Sequence, residues 1–503
     1  MLSLALFLLG VAVSVVSIRY GIVAAHKLGV VDTPGGHKAH DTVTPFVGGV
    51  GVLAATLTAV CVVSQFYPQF GGQLYAFLFG VIVMFVTGFA DDILHLGYKI
   101  RFLVQAAVGV AMVYWGNVAL FDLGGIGGHG IVHLGYVGVP LTLIATIGAI
   151  NALNMIDGID GLSGSLSVVS LLLIAASVFV VGDMPYFSLI IMIAGGVAGF
   201  LFFNLRHFGQ RRARCFLGDN GSMQLGFIFA WLLVDLSQLS GSPRVFTPVT
   251  TLWLFAVPLI DTLSVMLRRL WMKRSPFRPD RHHLHHLFLR AGFRVQDTVL
   301  VLAFVQLMFG GIGLLGMYAG VSETNMLIAF VLAFALCFYV LLRPWRFVPL
   351  LRRIHRLLGL TSVHAVGVYV SGISVQGLGS FSEVLNSKIG PHFDFRFSVY
   401  RHPLASDADN RCYGVVELLC DEQDLPQARI RGIIVGLRRE FHQLHGLQIR
   451  QFVARQDAHD RRVGRKPKND ERRIAERRSS GRSQLVYRVL SAAGESSVLL
   501  PNV

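Results

Sequence analysis

Val137-Gly-Val-Pro-Leu-Thr-Leu-Ile-Ala-Thr-Ile-Gly-Ala-Ile-Asn151-Ala-Leu-Asn154-Met-Ile-Asp157-Gly-Ile-Asp160-Gly-Leu-Ser-Gly-Ser-Leu-Ser-Val-Val-Ser-Leu-Leu-Leu-Ile-Ala-Ala-Ser-Val-Phe-Val-Val-Gly182 is two long apolar runs joined by a turn of Asn, Asp and Gly. Neither run contains Lys or Arg, and each is long enough as a helix to cross a hydrocarbon layer of about 30 Å. The same signature repeats outward in both directions. Apolar stretches lie at 2–18, 46–66, 74–92, 101–117, 137–155, 161–182, 185–204, 222–240, 248–268, 297–319 and 325–343, about eleven in all. Over 503 residues, 53% are hydrophobic and only 15% are Asp, Glu, Lys or Arg, against about 25% charged in an ordinary soluble domain. A simple soluble enzyme and a disordered chain are both excluded, and the expected fold is a polytopic α-helical membrane protein. The first stretch has neither a charged leading region nor a small-residue cleavage site, so it reads as a retained span.

Orientation follows from the loops. Lys and Arg number 44 against 29 acids, a net charge of +15. Lys27, Lys38, Lys99, Arg101, Arg206, Arg211, Arg212, Arg214, Arg268, Arg269, Lys273, Arg281, Arg343 and Arg346 all fall on alternate loops, while the intervening loops are nearly free of both residue types, with Arg244 an exception. The positive-inside rule then places the N-terminus outside and the C-terminus in the cytoplasm. Five scattered Cys indicate neither a disulfide framework nor a zinc site.

Against that basic face, six acids stand out: Asp91, Asp92, Asp157, Asp160, Asp219 and Asp261 all map to it, at span ends or in short loops. Acids near a bilayer are costly and mark ion or substrate pathways. Carboxylates opposite many Arg and Lys suggest a divalent cation held together with an anionic ligand, and hard oxygen donors suit Mg²⁺, which is commonly shared with phosphate; Mn²⁺ is the alternative ion.

Each motif has a plainer reading beside the chemical one. Asp91-Asp92 is either a helix end facing water or a pair of adjacent carboxylates bridged by a cation or proton, and acids disfavour a helix C-terminus. Asn151, Asn154 and Asp157 recur along one helix face, beyond what a polar turn needs, and the glycines that follow allow close approach of a ligand to the backbone. Gly218-Asp219-Asn-Gly-Ser222 opens the next helix as an N-cap or phosphate-facing loop. Pro279-Asp-Arg281-His282-His283-Leu-His285-His286 carries four His, a transition-metal possibility that the nearby Arg residues turn toward phosphate contacts. Asp261 reads equally as a buried structural acid.

Taken in order, these blocks resemble the polyprenyl-phosphate N-acetylhexosamine-1-phosphate transferases, over roughly residues 20–345. Val31-Asp-Thr-Pro with Lys38, His40, Pro45 and Gly48-Gly49 is similar to that family's first cytoplasmic block. Asp91-Asp92 with Lys99 and Arg101 is similar to its acidic pair, and the other three blocks complete the set. Asp-Arg-x-His-Leu-His-His resembles the WecA-like branch rather than the peptidoglycan enzyme of the MraY type, which has consecutive His there. His37 stands where many WecA-like sequences carry Arg.

The resemblance implies transfer of a sugar-1-phosphate, GlcNAc-1-phosphate by default, from a UDP-sugar to undecaprenyl phosphate, with release of UMP. It implies Asp219 and Asn154 on the metal side, and Asp91, Asp92, Asp157, Asp160 and His282 in catalysis. Lys38, His40, Lys99, Arg101, Asn151, Asn154, Arg281, His285 and His286 would bind substrate. A membrane transporter and the peptidoglycan phospho-N-acetylmuramoyl-pentapeptide transferase are the alternatives. A transporter favours ionisable residues near mid-bilayer and inverted repeats, neither of which is apparent in this sequence.

After Arg353 the pattern is that of a soluble domain. Residues 346–361 read as a basic juxtamembrane linker and 362–455 as a cytosolic α+β domain. Strand-like stretches at 363–370, 395–399, 415–420 and 447–453 alternate with helical patterns at 381–389 and 425–444, the ferredoxin-like order βαββαβ. Such a unit would bind a regulatory ligand or pair in a homodimer. Residues 456–503 read as a basic, mostly disordered tail.

Overall fold

The structure, a computed structural model, describes residues 2–32, 44–128, 130–206, 210, 212–238, 244–273, 275 and 283–358, together with a set of C-terminal strands. The helices are α1 (Leu2–Leu28), α2 (Gly48–Phe66), α3 (Gly71–Leu94), α4 (Tyr98–Tyr114), α5 (Gly138–Ile156), α6 (Leu162–Val181) and α7 (Met184–Asn204). They continue with α8 (Gly218–Asp235), α9 (Pro248–Leu254), α10 (Ala256–Trp271), α11 (Leu284–Ala291), α12 (Val295–Tyr318), α13 (Glu323–Leu342) and α14 (Pro344–Leu357). Two short strands, β1 (Val31–Asp32) and β2 (Thr44–Pro45), lie between α1 and α2.

The organising element of the membrane part is α8. Every residue from Asn220 to Val234 is buried, as expected of a helix surrounded by other helices. Small residues let its neighbours close in. A Cβ on Gly88 of α3 would sit 2.3 Å from the Asp219 carbonyl oxygen, and one on Gly226 of α8 would sit 2.4 Å from the Ile150 Cα of α5. Without a hydrophobic driving force in lipid, such backbone-to-backbone contact is a main source of helix association.

Each of the eleven apolar stretches contains a helix, but they are not all membrane-crossing helices of one kind. Among the described residues, eight helices are long and apolar enough to cross a membrane, or nine if α9 and α10, bent by 85° at their junction, form one broken span. The two that drop out of the expected eleven are α4, with 17 residues, and α8. Polar residues at both ends of α8 (Asp219, Asn220, Gln224, Asp235) lower its hydropathy, and its surroundings of protein tolerate them. Helix α1 also runs past Ile18, through Arg19 and Lys27.

The helix ends gather polar residues at two opposite places. At one, Gln73 at the start of α3 donates to Asp235 at the end of α8 (3.0 Å), Arg244 holds Asp122 with both carboxylate oxygens within 2.8 Å, and Glu323 at the start of α13 accepts from the Gly125 N–H (3.0 Å). The other end, where α3 and α5 finish and α8 begins, carries the acids singled out above.

The C-terminal part is a second unit. Its strands are β3 (Val363–Ser374), β4 (Asp394–Arg401), β5 (Arg411–Asp421), β6 (Gln448–Val453), β7 (Val486–Ser491) and β8 (Gly494–Leu499). They form one sheet in the order β6-β3-β5-β4-β7-β8, with every paired neighbour antiparallel. The helical patterns at 381–389 and 425–444 lie outside the described residues. Strands β7 and β8 fall within the stretch read from composition as tail, where the sequence reading placed no element.

Candidate active site

Helix α8 begins with Gly218 in the left-handed region, φ +76°, which turns the chain so that the first backbone N–H groups point at the end of α3. Asp92 receives them. Its carboxylate accepts from the Asp219 N–H (2.9 Å), the Asn220 N–H (3.2 Å) and the Asn220 side-chain amide (2.6 Å). An acid from one helix thus caps the N-terminus of another, satisfying orphan donors and complementing the positive end of the helix dipole. The same Asn220 amide also donates to the Phe46 carbonyl at 3.1 Å, tying in the residue just before α2.

Asp219, in the first turn of α8, presents its carboxylate to a different set of groups. One oxygen accepts from Asn154 Nδ2 at 2.6 Å; the other lies 3.8 Å from Arg101 Nη1. Asn154 also reaches the Ser222 hydroxyl at 3.1 Å. The same Arg101 nitrogen donates to Asp91 at 2.6 Å. Asp91, Asp219, Asn154 and Arg101, from α3, α8, α5 and α4, therefore form one cluster. Asp91 is buried, whereas the Asp219 side chain keeps 35% of its surface exposed, so the open member is Asp219.

The turn after α5 forms the next wall. Asp157 accepts from the Ser163 hydroxyl. Its carboxyl is pushed up to about 7, first by burial and then by the nearby Asp160 and Asp92 charges, with the Ser163 bond acting in the opposite direction. Asp160 pairs with Arg206 Nε at 2.7 Å. The Gly161 N–H donates to Asn204, which in turn donates to the Cys215 carbonyl. These bonds link the end of α7 to the turn.

Histidines close the site. Asp261 of α10, fully buried, accepts the Leu284 N–H at 2.7 Å and lies 2.7 Å from His283 Nδ1. It caps α11 much as Asp92 caps α8. The His283 ring stacks on His285 at 5.4 Å, and His285 lies 4.2 Å from His286. Burial, then the charges of its two neighbours, drives the His285 imidazole down to about 2, so the ring is neutral at physiological pH. Neither of its nitrogens has a hydrogen-bond partner among the described residues. His285 also abuts the turn after α5: a Cβ added to Gly158 would lie 2.7 Å from His285 Nε2.

The five acids Asp91, Asp92, Asp157, Asp160 and Asp219 thus share one end of the bundle with Arg101, Asn154, His285 and His286. Lys99 is exposed in the first turn of α4 and makes no hydrogen bond among the described residues. Asn151 sits about one turn below Asn154 and donates to Gln105 at 2.8 Å. Lys38, His40, Arg281 and His282 lie outside the described residues. The structure adds Asn220, Gln105, Ser163, Arg206 and Asn204. Of these, Gln105 had a legible signal, a polar residue four positions after Arg101 on the same face of an apolar helix.

Residues 74–237 match the family model described as glycosyl transferase family 4. The chain is 38% identical over 333 residues to the undecaprenyl-phosphate alpha-N-acetylglucosaminyl 1-phosphate transferase of Escherichia coli (strain K12), an alignment covering 66% of this chain and 89% of that one. It is 36% identical over 333 residues to the Yersinia pestis protein of the same name, with the same coverage. To the Haemophilus influenzae protein of that name it is 36% identical over 361 residues, 71% of this chain and 98% of that one. The matched residues contain the acidic pair, the Asn/Asp/Gly turn and the start of α8, and this multi-pass membrane protein belongs to glycosyl transferase family 4, with the polyprenyl-phosphate N-acetylhexosamine-1-phosphate transferases.

Proposed function

We propose that the protein transfers an N-acetylhexosamine-1-phosphate, most simply GlcNAc-1-phosphate, from a UDP-sugar to undecaprenyl phosphate and so starts a lipid-linked surface glycan. The observation that carries this reading is the four-helix cluster of Asp91, Arg101, Asn154 and Asp219, with the His285–Gly158 contact beside it. A lipid acceptor cannot leave the bilayer and a nucleotide sugar cannot enter it, so the reaction belongs at a helix-end site. That site is taken to face the cytoplasm of a bacterial inner membrane, the side on which the basic loops lie.

In the transfer, an oxygen of the lipid phosphate attacks the β-phosphorus of the UDP-sugar. A bond forms between that oxygen and the β-phosphorus, the bond from the β-phosphorus to the oxygen bridging to the α-phosphorus breaks, and UMP leaves. Little covalent work falls to the protein in such a step; positioning and charge neutralisation dominate. Asp91 is the group assigned to hold a proton from the acceptor phosphate, because the oxygens of Asp92 are already engaged by three N–H donors. Arg101, His285 and His286 would orient phosphate oxygens, and Asp157 and Asp160 would shape the nucleotide side. Lys38, His40, Lys99, Arg281 and His282 are assigned with them as substrate contacts.

A divalent cation fits the donor set. Asp219 is a hard-oxygen donor whose carboxylate is open. Among the described residues no group of three or more His, Cys, Asp or Glu is arranged to hold a metal ion, so the remaining ligands would be phosphate oxygens and water, the usual arrangement for Mg²⁺. Bound there, Mg²⁺ or Mn²⁺ would supply Lewis-acid stabilisation of the diphosphate. Asn154 points its amide nitrogen at Asp219, so it is assigned to orient that carboxylate rather than to ligate directly.

The C-terminal sheet supports a ferredoxin-like reading. Counting β3, β4, β5 and β6 as first to fourth, the first lies between the third and the fourth, and the second pairs with the third. A regulatory or assembly role for it is tested by truncation after Leu360.

The decisive assay is release of UMP by purified protein from UDP-GlcNAc, undecaprenyl phosphate and Mg²⁺, with the lipid product identified by mass spectrometry. Absence of UMP with every UDP-N-acetylhexosamine would overturn the reading.

A further inference from the structure

One residue, Arg343, separates the end of α13 from α14, Pro344-Trp-Arg346-Phe-Val-Pro-Leu350-Leu-Arg352-Arg353-Ile354-His-Arg356-Leu357. This helix contains four Arg and one His and no acid. Along it, Leu350 is 50% exposed, Ile354 39%, Leu357 86% and the following Leu358 60%. Positions 350, 354, 357 and 358 are spaced four, seven and eight residues from the first, so they form one stripe. Arg346 and Arg353, both exposed, stand four residues before Leu350 and Leu357 and border that stripe. Val348 and His355, away from it, are buried.

An exposed apolar stripe edged by arginines, immediately after a membrane-spanning helix, has the composition of a helix lying in a membrane interface. We infer that α14 lies in the headgroup region of the leaflet in which α13 ends, with Leu350, Ile354, Leu357 and Leu358 set among the acyl chains and Arg346 and Arg353 against anionic headgroups. The absence of acidic residues selects the occupant: a second copy of the same helix would be repelled, whereas an anionic lipid surface is complementary. Basic residues at such a surface are each worth about 1 kcal/mol, close to a fivefold change in the bound-to-free ratio. The inference depends on the multi-pass architecture and not on the chemistry proposed above, so it survives failure of the UMP assay.

The test uses the full chain in lipid nanodiscs with benzoylphenylalanine placed singly at Leu350, Leu357 or Val348. After irradiation, adducts are identified by mass spectrometry in discs of phosphatidylcholine alone and of phosphatidylcholine mixed with phosphatidylglycerol. The expected result is lipid adducts from positions 350 and 357, several-fold more abundant with phosphatidylglycerol, and protein adducts from 348. Protein adducts or none from 350 and 357 would overturn the inference, and equal yields in the two lipids would overturn its anionic component. Replacing Arg346 and Arg353 by Gln should remove most of that preference, bringing the phosphatidylglycerol yield close to that in phosphatidylcholine alone. Arg346→Lys with Arg353→Lys should restore it, which separates charge from a folding defect.

Discussion

The carboxylate of Asp92 accepts the backbone N–H of Asp219 at 2.9 Å, so one acid of the pair at the end of α3 anchors the helix that presents the central acid of the site. Its neighbour Asp91 instead pairs with Arg101. Adjacent residues on a helix point in different directions, and here that difference divides their labour. Asp92→Ala should leave the first N–H groups of α8 without acceptors and cost about 1 kcal/mol of stability, read as a lower apparent Tm in detergent. Asp92→Asn keeps an acceptor and should recover most of that loss. Asp91→Asn keeps an acceptor for Arg101, should cost no more in Tm than Asp92→Asn, and should lower UMP release roughly 100-fold or more. The opposite pattern, stability lost at Asp91 and activity alone at Asp92, would reverse the assignment.

Asp219 and Asn154 make a second pair with separable roles. If Asp219 is a metal ligand and Asn154 only orients it, chelating Mg²⁺ should abolish UMP release by the wild type, and Asp219→Ala should be inactive at any Mg²⁺ concentration. Asn154→Ala should need about 10–100-fold more Mg²⁺ for half-maximal rate, the usual cost of removing a group that holds a ligand in place, and should approach wild-type turnover when saturated. Asn154→Ala that stays inactive at saturating Mg²⁺ would make the amide a direct participant.

The helices and the end of the bundle that carries the site were legible because apolar length and basic loops are one-dimensional signals. What stayed hidden depends on neighbours. Nothing local in Gly218-Asp-Asn-Gly-Ser shows that Asn220 bonds both Asp92 and the Phe46 carbonyl, because those partners come from more than a hundred residues away. The burial of α8 on all sides was equally invisible: its composition reads as a weak span, and only the packing of α2, α3 and α5 explains how it carries acids at both ends. Arg206 counted in the sequence only as an inside charge, yet it pairs with Asp160. Asp261, ambiguous in the sequence, proves to cap α11 and hold His283.

Asp157 makes stability depend on pH with an unusual sign for an acid. Its pKa is about 7 in the folded protein against 3.8 for the free group. Between those values the folded chain holds a proton that the unfolded chain has released, so stability falls as pH rises through the window. The contribution is fully present below about 4 and lost above about 7. Asp157→Asn mimics the protonated form and should remove this slope. The Tm difference between Asp157→Asn and wild type should therefore widen from near pH 5 to near pH 8, measured by a thermal-shift series; a constant difference would place the Asp157 pKa in the ordinary carboxylate range.

Gly158 and His285 offer the most direct probe of whether the turn after α5 and the histidine block act as one surface. A methyl group at Gly158 would lie 2.7 Å from His285 Nε2, too close unless the ring moves. A displacement of about 1 Å in a positioning group can cost on the order of 100-fold in rate. Gly158→Ala is therefore expected to lower kcat/KM for the nucleotide sugar by roughly 10–100-fold with little change in Tm. His285→Ala should cause a comparable loss by removing the ring. The two effects should not add: if the alanine at 158 acts only by pushing the imidazole aside, the double variant should be no worse than His285→Ala alone. Residues in contact show coupling of about 0.5–3 kcal/mol in such a cycle. Strict additivity would mean that the turn reaches the substrate by a route independent of His285.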